Sequence, residues 1–400
     1  HTMPWALVIS CCIGMFAATA SSATRAPFLL EMATDFAVDL PAIANLFGLT
    51  AVFWGISSFL SGKGADRWGR RIFLIVSPAG LATSLVATVV IQQYWSLVIC
   101  VAFVSIFCGS FSTASMTEVS LRTDNQQRGR ALGWVMSGQS LTLLIGIPLA
   151  AWIGAWIGWR GVQISVAGVA ILAMIFLLID ADDKSQRTRA VNKGIGGKQL
   201  TLRQALTGPV VRLFSSSIME RICFGLATFY YPSFLRTVYD LQIEAVALPL
   251  VGFAVGNITG TFLGGQLADR FPFRRVSIAG MLLLSGGFAL VWFLWTPSLV
   301  TTAFLGIGFS LFNALSRPPL MAALADGPTE VRGVIMGLNS SVASIGWLTA
   351  SVIGGWLYLG VGFNGFGPLM LFTCAMGALV VLPDRKLRSD QPSVNASCLE

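Results

Sequence analysis

Gly62-Lys63-Gly64-Ala65-Asp66-Arg67-Trp68-Gly69-Arg70-Arg71 lies between two apolar runs. Gly265-Gln266-Leu267-Ala268-Asp269-Arg270-Phe271-Pro272-Phe273-Arg274-Arg275 lies between two others, 203 residues later. A second pair repeats the spacing: Arg128-Gly129 followed by Gly133, and Arg332-Gly333 followed by Gly337, are 204 residues apart. Two independent pairs at nearly one offset mark an internal duplication, so the fold is one that two related halves can build.

Around these loops the chain is apolar. Of its 400 residues 55% are hydrophobic and 11% charged, and the mean hydropathy of +0.75 excludes a water-soluble enzyme. The 42 glycines argue against a long coiled coil and fit helices packed closely in lipid. Crossing a hydrocarbon core of about 30 Å takes about 20 apolar residues. Twelve windows qualify: 4 to 30, 41 to 61, 72 to 92, 95 to 120, 130 to 156, 160 to 179, 209 to 236, 245 to 265, 276 to 296, 299 to 324, 334 to 358 and 362 to 382. These are numbered spans 1 to 12. The first is not expected to be a secretory signal, because it lacks a basic flank and a cleavage site and eleven spans follow it.

The polar stretch Ala181 to Gly208 separates six spans from six and reads as a linker. The expected organisation is therefore a six-helix bundle over 1–180, a cytoplasmic linker over 181–208, a second bundle over 209–382 and a cytoplasmic tail over 383–400. Six polar regions on one side of the twelve-span topology hold 21 of the 26 Lys and Arg residues. The other side holds Arg160 and Arg236 with Glu31, Asp35, Asp39, Asp240 and Glu244, which predicts cytoplasmic termini. The net charge of +8 then belongs to loops facing an anionic leaflet rather than to nucleic-acid binding. Of the seven cysteines all but Cys398 fall in apolar runs, and the single histidine is His1, so neither a disulfide framework nor a metal site is expected.

The loop 62–71 resembles the signature of the major facilitator superfamily, Gly-x-Leu-Ala-Asp-Arg-x-Gly-Arg-Arg, with Gly64 in place of Leu. The later copy keeps Gly265, Leu267, Ala268, Asp269, Arg270, Arg274 and Arg275, with Pro272 where the second Gly would stand. The resemblance implies an all-α membrane protein of twelve transmembrane helices in two pseudo-symmetric halves. It implies that Asp66, with the start of span 11, latches the outward-open state, helped by Gly62, Arg67, Gly69, Arg70 and Arg128, and that Asp269 and Arg270 act similarly beside span 5. A carboxylate can do this by accepting from helix N-terminal amides and pairing with Arg128 or Arg130.

Span 5 and its exit read Gly138, Gly146-Ile147-Pro148-Leu149, Gly154, Gly158 and Trp159-Arg160, which is similar to the Gly-Pro motif of the drug/proton antiporter group and its sugar, nucleoside and arabinose efflux relatives. In span 4 Val101 stands about where that group carries an arginine.

Ionisable groups inside apolar spans cost about 2.5 to 3.5 kcal/mol each on insertion scales, so each needs a partner or a wet surface. They are Arg25 in span 1, Glu118 in span 4, Glu220 and Arg221 in span 7, and Arg317 in span 10. The occupied spans recur every three, as a cavity lined by one helix of each three-helix unit requires. Glu220 lies near mid-depth and is the leading group for proton coupling, the alternative being a static ion pair with Arg317. Glu118 is the second candidate carboxyl, against a solvated i, i+4 pair with Arg122.

Arg25 binds substrate, snorkels to the interface, or pairs with Glu31 or Asp35; Arg221 should point about 100° away from Glu220 around the helix, toward substrate or a span 11 neighbour. Arg317 precedes Pro318-Pro319, which break the amide ladder. Gln139, Asn257 and Asn313 add mid-depth polar groups for a substrate, with Asn339 nearer a helix end. Tyr230, in Phe229-Tyr230-Tyr231, stacks on substrate or belongs to an interfacial aromatic belt.

The function expected is secondary transport, not enzyme catalysis: a proton-coupled antiporter exporting a small organic or drug-like compound by alternating access. The alternative is a proton-coupled importer or facilitator of a small organic anion held by Arg25, Arg221 and Arg317. Neither requires a cofactor or metal. The partners are the substrate, protons and the lipid bilayer, without nucleic acid. The resemblance adds a monomer in a bacterial plasma (inner) membrane.

Overall fold

The computed structural model describes residues 4–123, 128–180, 206–270, 273–325 and 332–382. All regular structure among them is helical. The helices are α1 (Trp5–Ala23), α2 (Leu29–Asp35), α3 (Leu40–Trp68), α4 (Arg70–Val90), α5 (Tyr94–Arg122), α6 (Arg128–Leu141), α7 (Ile147–Asp180), α8 (Gly208–Tyr239), α9 (Ala247–Arg270), α10 (Arg274–Leu294), α11 (Leu299–Leu315), α12 (Arg317–Ala325), α13 (Arg332–Val361) and α14 (Phe366–Val381).

Nine segments among the described residues are long and apolar enough to cross a membrane. Two of them, Ala131–Ile179 with 49 residues and Ser341–Val381 with 41, are about twice the crossing length. Each contains a glycine at positive φ, Gly158 at 69° and Gly362 at 66°, where the helical geometry is interrupted. α8 is 32 residues long but is not among the nine. Its run from Ser215 to Arg221 holds three serines, Glu220 and Arg221, which lower its hydropathy.

The helices of residues 5–180 pack chiefly on one another, as do those of residues 208–381. Across the two groups, α3 lies along α13, and α7 meets α9 and the short turn Ile243–Val246. One end of the molecule, the acidic end, carries Glu31 and Asp35 in the short α2 and Asp39, Asp240 and Glu244 in the connections between longer helices.

Small residues set the closest helix pairs. A Cβ on Gly256, Gly260 or Gly264 of α9 would collide with the carbonyls of Ile307, Leu311 or Leu315 on α11, so this four-residue spacing brings two backbones together. A Cβ on Gly138 would meet the Cys12 carbonyl of α1, and one on Gly154 the Phe28 ring. These glycines of the span 5 motif therefore seat α6 and α7 against α1 and its exit. Between α6 and α7, residues Thr142–Gly146 form a π-helical turn just before Pro148, which has no amide hydrogen for the ladder.

Two boundaries differ from the sequence expectation. Residues 62–68 continue α3, and only Gly69, at φ 91°, separates it from α4. Gly69 alone makes the tight turn there; Gly62 lies inside the helix. Span 1 is broken: α1 ends at Ala23, a 3-10 turn follows over Ala26–Phe28, and Arg25 sits at the break. Pro27, fixed in φ and without an amide hydrogen, suits that turn better than a continuing helix.

Candidate functional site

Glu220, 3% exposed, sits about 18 Å along α8 from Gly208. Its Oε1 accepts a 2.7 Å bond from Arg317 Nε. Arg317 stands at the joint where α11 ends and Pro318-Pro319 open α12, and it turns back one helical turn to donate from Nη2 to Asn313 Oδ1 at 2.8 Å. Its Cζ lies 4.1 Å above the Phe224 ring. The Arg221 Nε is 3.4 Å from Glu220 Oε2, contrary to the expected divergence: the arginine stem is long enough to bend back along the helix. Two guanidiniums share one carboxylate, and Asn313, fully buried, keeps Nδ2 without a partner.

From this cluster an aromatic bridge reaches across to the other helix group. Phe224 meets Trp347 edge-on at 5.8 Å, Trp347 lies 5.2 Å from Phe229, and Phe229 stacks on Phe47 at 4.2 Å with 5° between the planes. The Cζ of Arg25 is 5.6 Å from the far side of that stack, over Phe47. Arg25 is 5% exposed and donates from Nη2 to Thr50 Oγ1 at 3.1 Å and from Nε to the Ser22 carbonyl at 3.4 Å, while Nη1 has no partner.

Toward the acidic end the groups are sealed. The Ser351 hydroxyl of α13 donates to the Ala44 carbonyl at 2.9 Å and accepts from the Gly48 amide at 3.1 Å, so it inserts into the i, i−4 ladder of α3. Tyr230 donates to the Ser351 carbonyl at 3.2 Å. Arg236 Nη1 pairs with Glu31 at 2.5 Å and also reaches the Pro27 carbonyl. Asp35 accepts from Trp159 Nε1 at 2.8 Å and from Arg160 Nη1.

The sequence model of the Major Facilitator Superfamily matches residues 11–258 and, again, 213–397. The chain belongs to the major facilitator superfamily. It is 26% identical over 363 residues to a chloramphenicol resistance protein of Streptomyces lividans, covering 89% of this chain and 90% of that one. It is 24% identical over 381 residues to the inner membrane transport protein YdhP of Escherichia coli K12, covering 93% and 92%. Among solved structures it is similar to a D-xylose-proton symporter at a TM-score of 0.75 with 17% identity, covering 95% and 97%. This superfamily member is accordingly a multi-pass membrane transporter and not an enzyme.

The fold brings together four of the expected site residues, Glu220, Arg221, Asn313 and Arg317. Asn257 on α9 is buried with Nδ2 unpartnered, Asn339 on α13 keeps Oδ1 unpartnered, and Gln139 is half-buried on α6. Four expectations need correction. Arg25 does not pair with Glu31 or Asp35, because Arg236 and Arg160 already hold those carboxylates. Glu118 does pair with Arg122 at 2.5 Å, but at 2% exposure it is buried rather than solvated, since α5 packs that face against its neighbours. Tyr230 is fully buried against Phe366 and Ser351, so it belongs to the seal and not to a belt or an open cavity. Tyr231 is likewise enclosed, against Trp292.

Of the gating motif, the surroundings of Gly62 and the side chains of Asp66, Arg67, Arg128, Asp269 and Arg270 lie outside the described residues. Arg70 is half-buried at the first position of α4. Phe47, Ser351 and Trp347 join the site only through the packing of α3, α8 and α13. The signal that could have found the seal is the small-residue spacing of Pro41, Ala44 and Gly48 on α3 opposite Leu348, Ser351 and Gly355 on α13.

Proposed function

We propose that this transporter is a proton-coupled antiporter that exports a small, partly apolar organic compound by alternating access, with Glu220 exchanging proton for substrate. The observation that carries the reading is a buried carboxyl midway along α8, held by Arg317 at the foot of the aromatic bridge between the two helix groups. A neutral Glu220 and an Arg317 turned away from it favour one another, and an Arg317 that has turned away no longer packs on Phe224, so proton uptake and rearrangement of the bridge are linked. The chloramphenicol resistance protein among the relatives supports export of a drug-like molecule.

The same reading has twelve crossings in two six-helix bundles, over 1–180 and 209–382, with a linker over 181–208 and a tail over 383–400. The two double-length segments, each taken as two crossings, and the charged α8 support that number. Basic loops on one side support cytoplasmic termini, and an inner-membrane relative supports a bacterial inner membrane. The acidic end is then the outward side, closed in this structure. The protein acts as a monomer.

A second reading, transport of a small organic anion, is favoured by one observation: two guanidiniums share Glu220, and among the described residues no carboxylate pairs with Arg25. The test is flux of labelled chloramphenicol in proteoliposomes under an imposed pH gradient. Glu220→Gln is expected to lose pH-driven flux while keeping substrate exchange at equal pH; full pH-driven flux in that variant sinks the coupling assignment. An affinity for a small carboxylate unchanged by Arg317→Ala removes the anion reading.

A further inference from the structure

Between Glu220 and the acidic end, α8 and α11 face each other along a row of polar side chains. On α11, Thr302, Gly306, Ser310 and Asn313 recur at three or four residues, one helical face, and lead to Arg317. On α8, Glu220, Thr228, Tyr231 and Tyr239 recur at eight, three and eight, again one face. At the outer end Tyr239 OH bonds Thr302 Oγ1 and donates to the exposed Ser298 carbonyl at 3.2 Å. One turn inward, Tyr231 OH lies against Gly306, beside Trp292.

Four groups on this row are buried and have no hydrogen-bond partner: Tyr231 OH, Thr228 Oγ1, Ser310 Oγ and Asn313 Nδ2. The Trp292 indole Nε1–H, packed on Tyr231, is a fifth. Pro232 has no amide hydrogen to give the Thr228 carbonyl, so an acceptor is freed at the same level. Thr228 and Tyr231 also line a small cavity between α8, α9 and the π-helical turn, with room for about one water.

Isolated orphans of this kind are uncommon, and a row of them is costly unless water bridges the gaps. Same-face neighbours on a helix stand about 5–6 Å apart, a distance one water spans. The serine, threonine and tyrosine hydroxyls both donate and accept and can pass a proton; Asn313 and Trp292 can only hold a water in place by donating.

Where Arg317 stands, the row is interrupted. Its guanidinium lies between Asn313 and Glu220, bonded to both, and it offers no acceptor. A fixed positive charge at that point repels an incoming proton. The groups facing Glu220 are Arg317 from α12, Arg221 from α8 and the thiol of Cys223 one turn along α8.

We propose that this row is a water-bridged proton route from the outer surface to Glu220, with Arg317 as its gate. It rests on the proposed role of Glu220. A proton enters from bulk water at Tyr239 and Thr302, each hydroxyl or water accepts one and gives up one, and the last passes to the Glu220 carboxylate. The route is closed while Arg317 pairs with Glu220 and opens when Arg317 turns away, so the proton reaches Glu220 without the two bundles parting at the acidic end.

The test needs no substrate. Liposomes holding a pH-sensitive dye and the full-length protein are given a proton gradient with valinomycin and potassium. Wild type should be tight, and Arg317→Gln should leak protons at least about tenfold faster. Ser310→Val or Tyr231→Phe added to Arg317→Gln should restore the wild-type rate.

No leak in a properly folded Arg317→Gln, or a leak untouched by the Ser310 and Tyr231 changes, overturns the route. A leak that those changes abolish but Glu220→Gln leaves intact keeps the route and removes Glu220 as its end point, which is failure of the coupling reading instead. If Arg317→Gln does not fold, hydroxyl-radical labelling of the wild type decides. Tyr231 and Trp292, though buried, should be oxidised well above equally buried Phe309 and Phe366 once each is normalised to the unfolded chain. Equal protection means the row is dry and sinks the proposal.

Discussion

Gly48→Leu is expected to drive the transporter out of the state described here and to lower transport about a hundredfold. A Cβ at Gly48 would lie 2.9 Å from Leu348 Cδ1 and 3.1 Å from Ser351 Oγ, and the rest of a leucine would point into α13. Overpacking of this kind costs about 1–3 kcal/mol, and expelling the Ser351 hydroxyl from the α3 ladder forfeits two further hydrogen bonds worth about 1 kcal/mol each. Against that, α3 itself gains about 1 kcal/mol of helix propensity when glycine is replaced in its interior.

The penalty therefore falls on the closed seal and not on the fold, and a net bias of about 3 kcal/mol leaves the closed form below about 1%. Two measurements check it. A Phe229→Cys reporter, covered by Phe47 in the seal, should become reactive to a membrane-impermeant maleimide in the Gly48→Leu background. Chloramphenicol flux should fall, while Gly168→Leu, whose added Cβ meets nothing within 4 Å, should change neither. Unchanged reporter protection would mean that the contact between α3 and α13 does not govern closure.

Why the seal was hard to read in sequence, and Glu220 easy, has a physical answer. A carboxyl in an apolar run carries its own large desolvation cost, so Glu220, Arg317 and Arg25 stand out without knowledge of any neighbour. The duplication was equally plain, because loop glycines and charges at one offset need no three-dimensional context. Ser351 and Gly48, by contrast, are ordinary small residues in separate apolar helices, and their importance arises only when α13 is laid against α3.

Long, flexible side chains escaped for another reason. The helical angle does separate the Cβ atoms of Glu220 and Arg221, but an arginine stem with four rotatable bonds returns to a carboxylate one residue away. Helix ends failed where one residue decided them: Pro27 stops α1 early, and Gly69 replaces what read as a ten-residue loop. Burial of Glu118 and Tyr230 depends on packing partners far along the chain, which periodicity does not encode.

The second large effect concerns stability. Glu220→Ala should destabilise the detergent-purified protein by about 3–5 kcal/mol, because removing one partner of a buried ion pair leaves charge without compensation. Here it leaves two guanidiniums, Arg221 and Arg317, close together beside an unpartnered Asn313 amide. Glu220→Gln should cost much less, since the amide oxygen still accepts from Arg317 Nε.

Arg317→Met alone strands a carboxylate whose remaining partner, Arg221, sits at 3.4 Å. Combining Glu220→Leu with Arg317→Met removes both members of the closest pair and places apolar groups beside Phe224, which buried-pair replacements tolerate well. The double variant strands only Arg221 and should therefore be more stable than Glu220→Leu, which strands both guanidiniums, with a coupling energy of about 2 kcal/mol or more in a double-mutant cycle read by thermal unfolding. Additive effects would mean that the 2.7 Å bond is energetically idle. Arg317 would then be free to turn away at little cost, and a gate on Glu220 would need another residue to hold it shut.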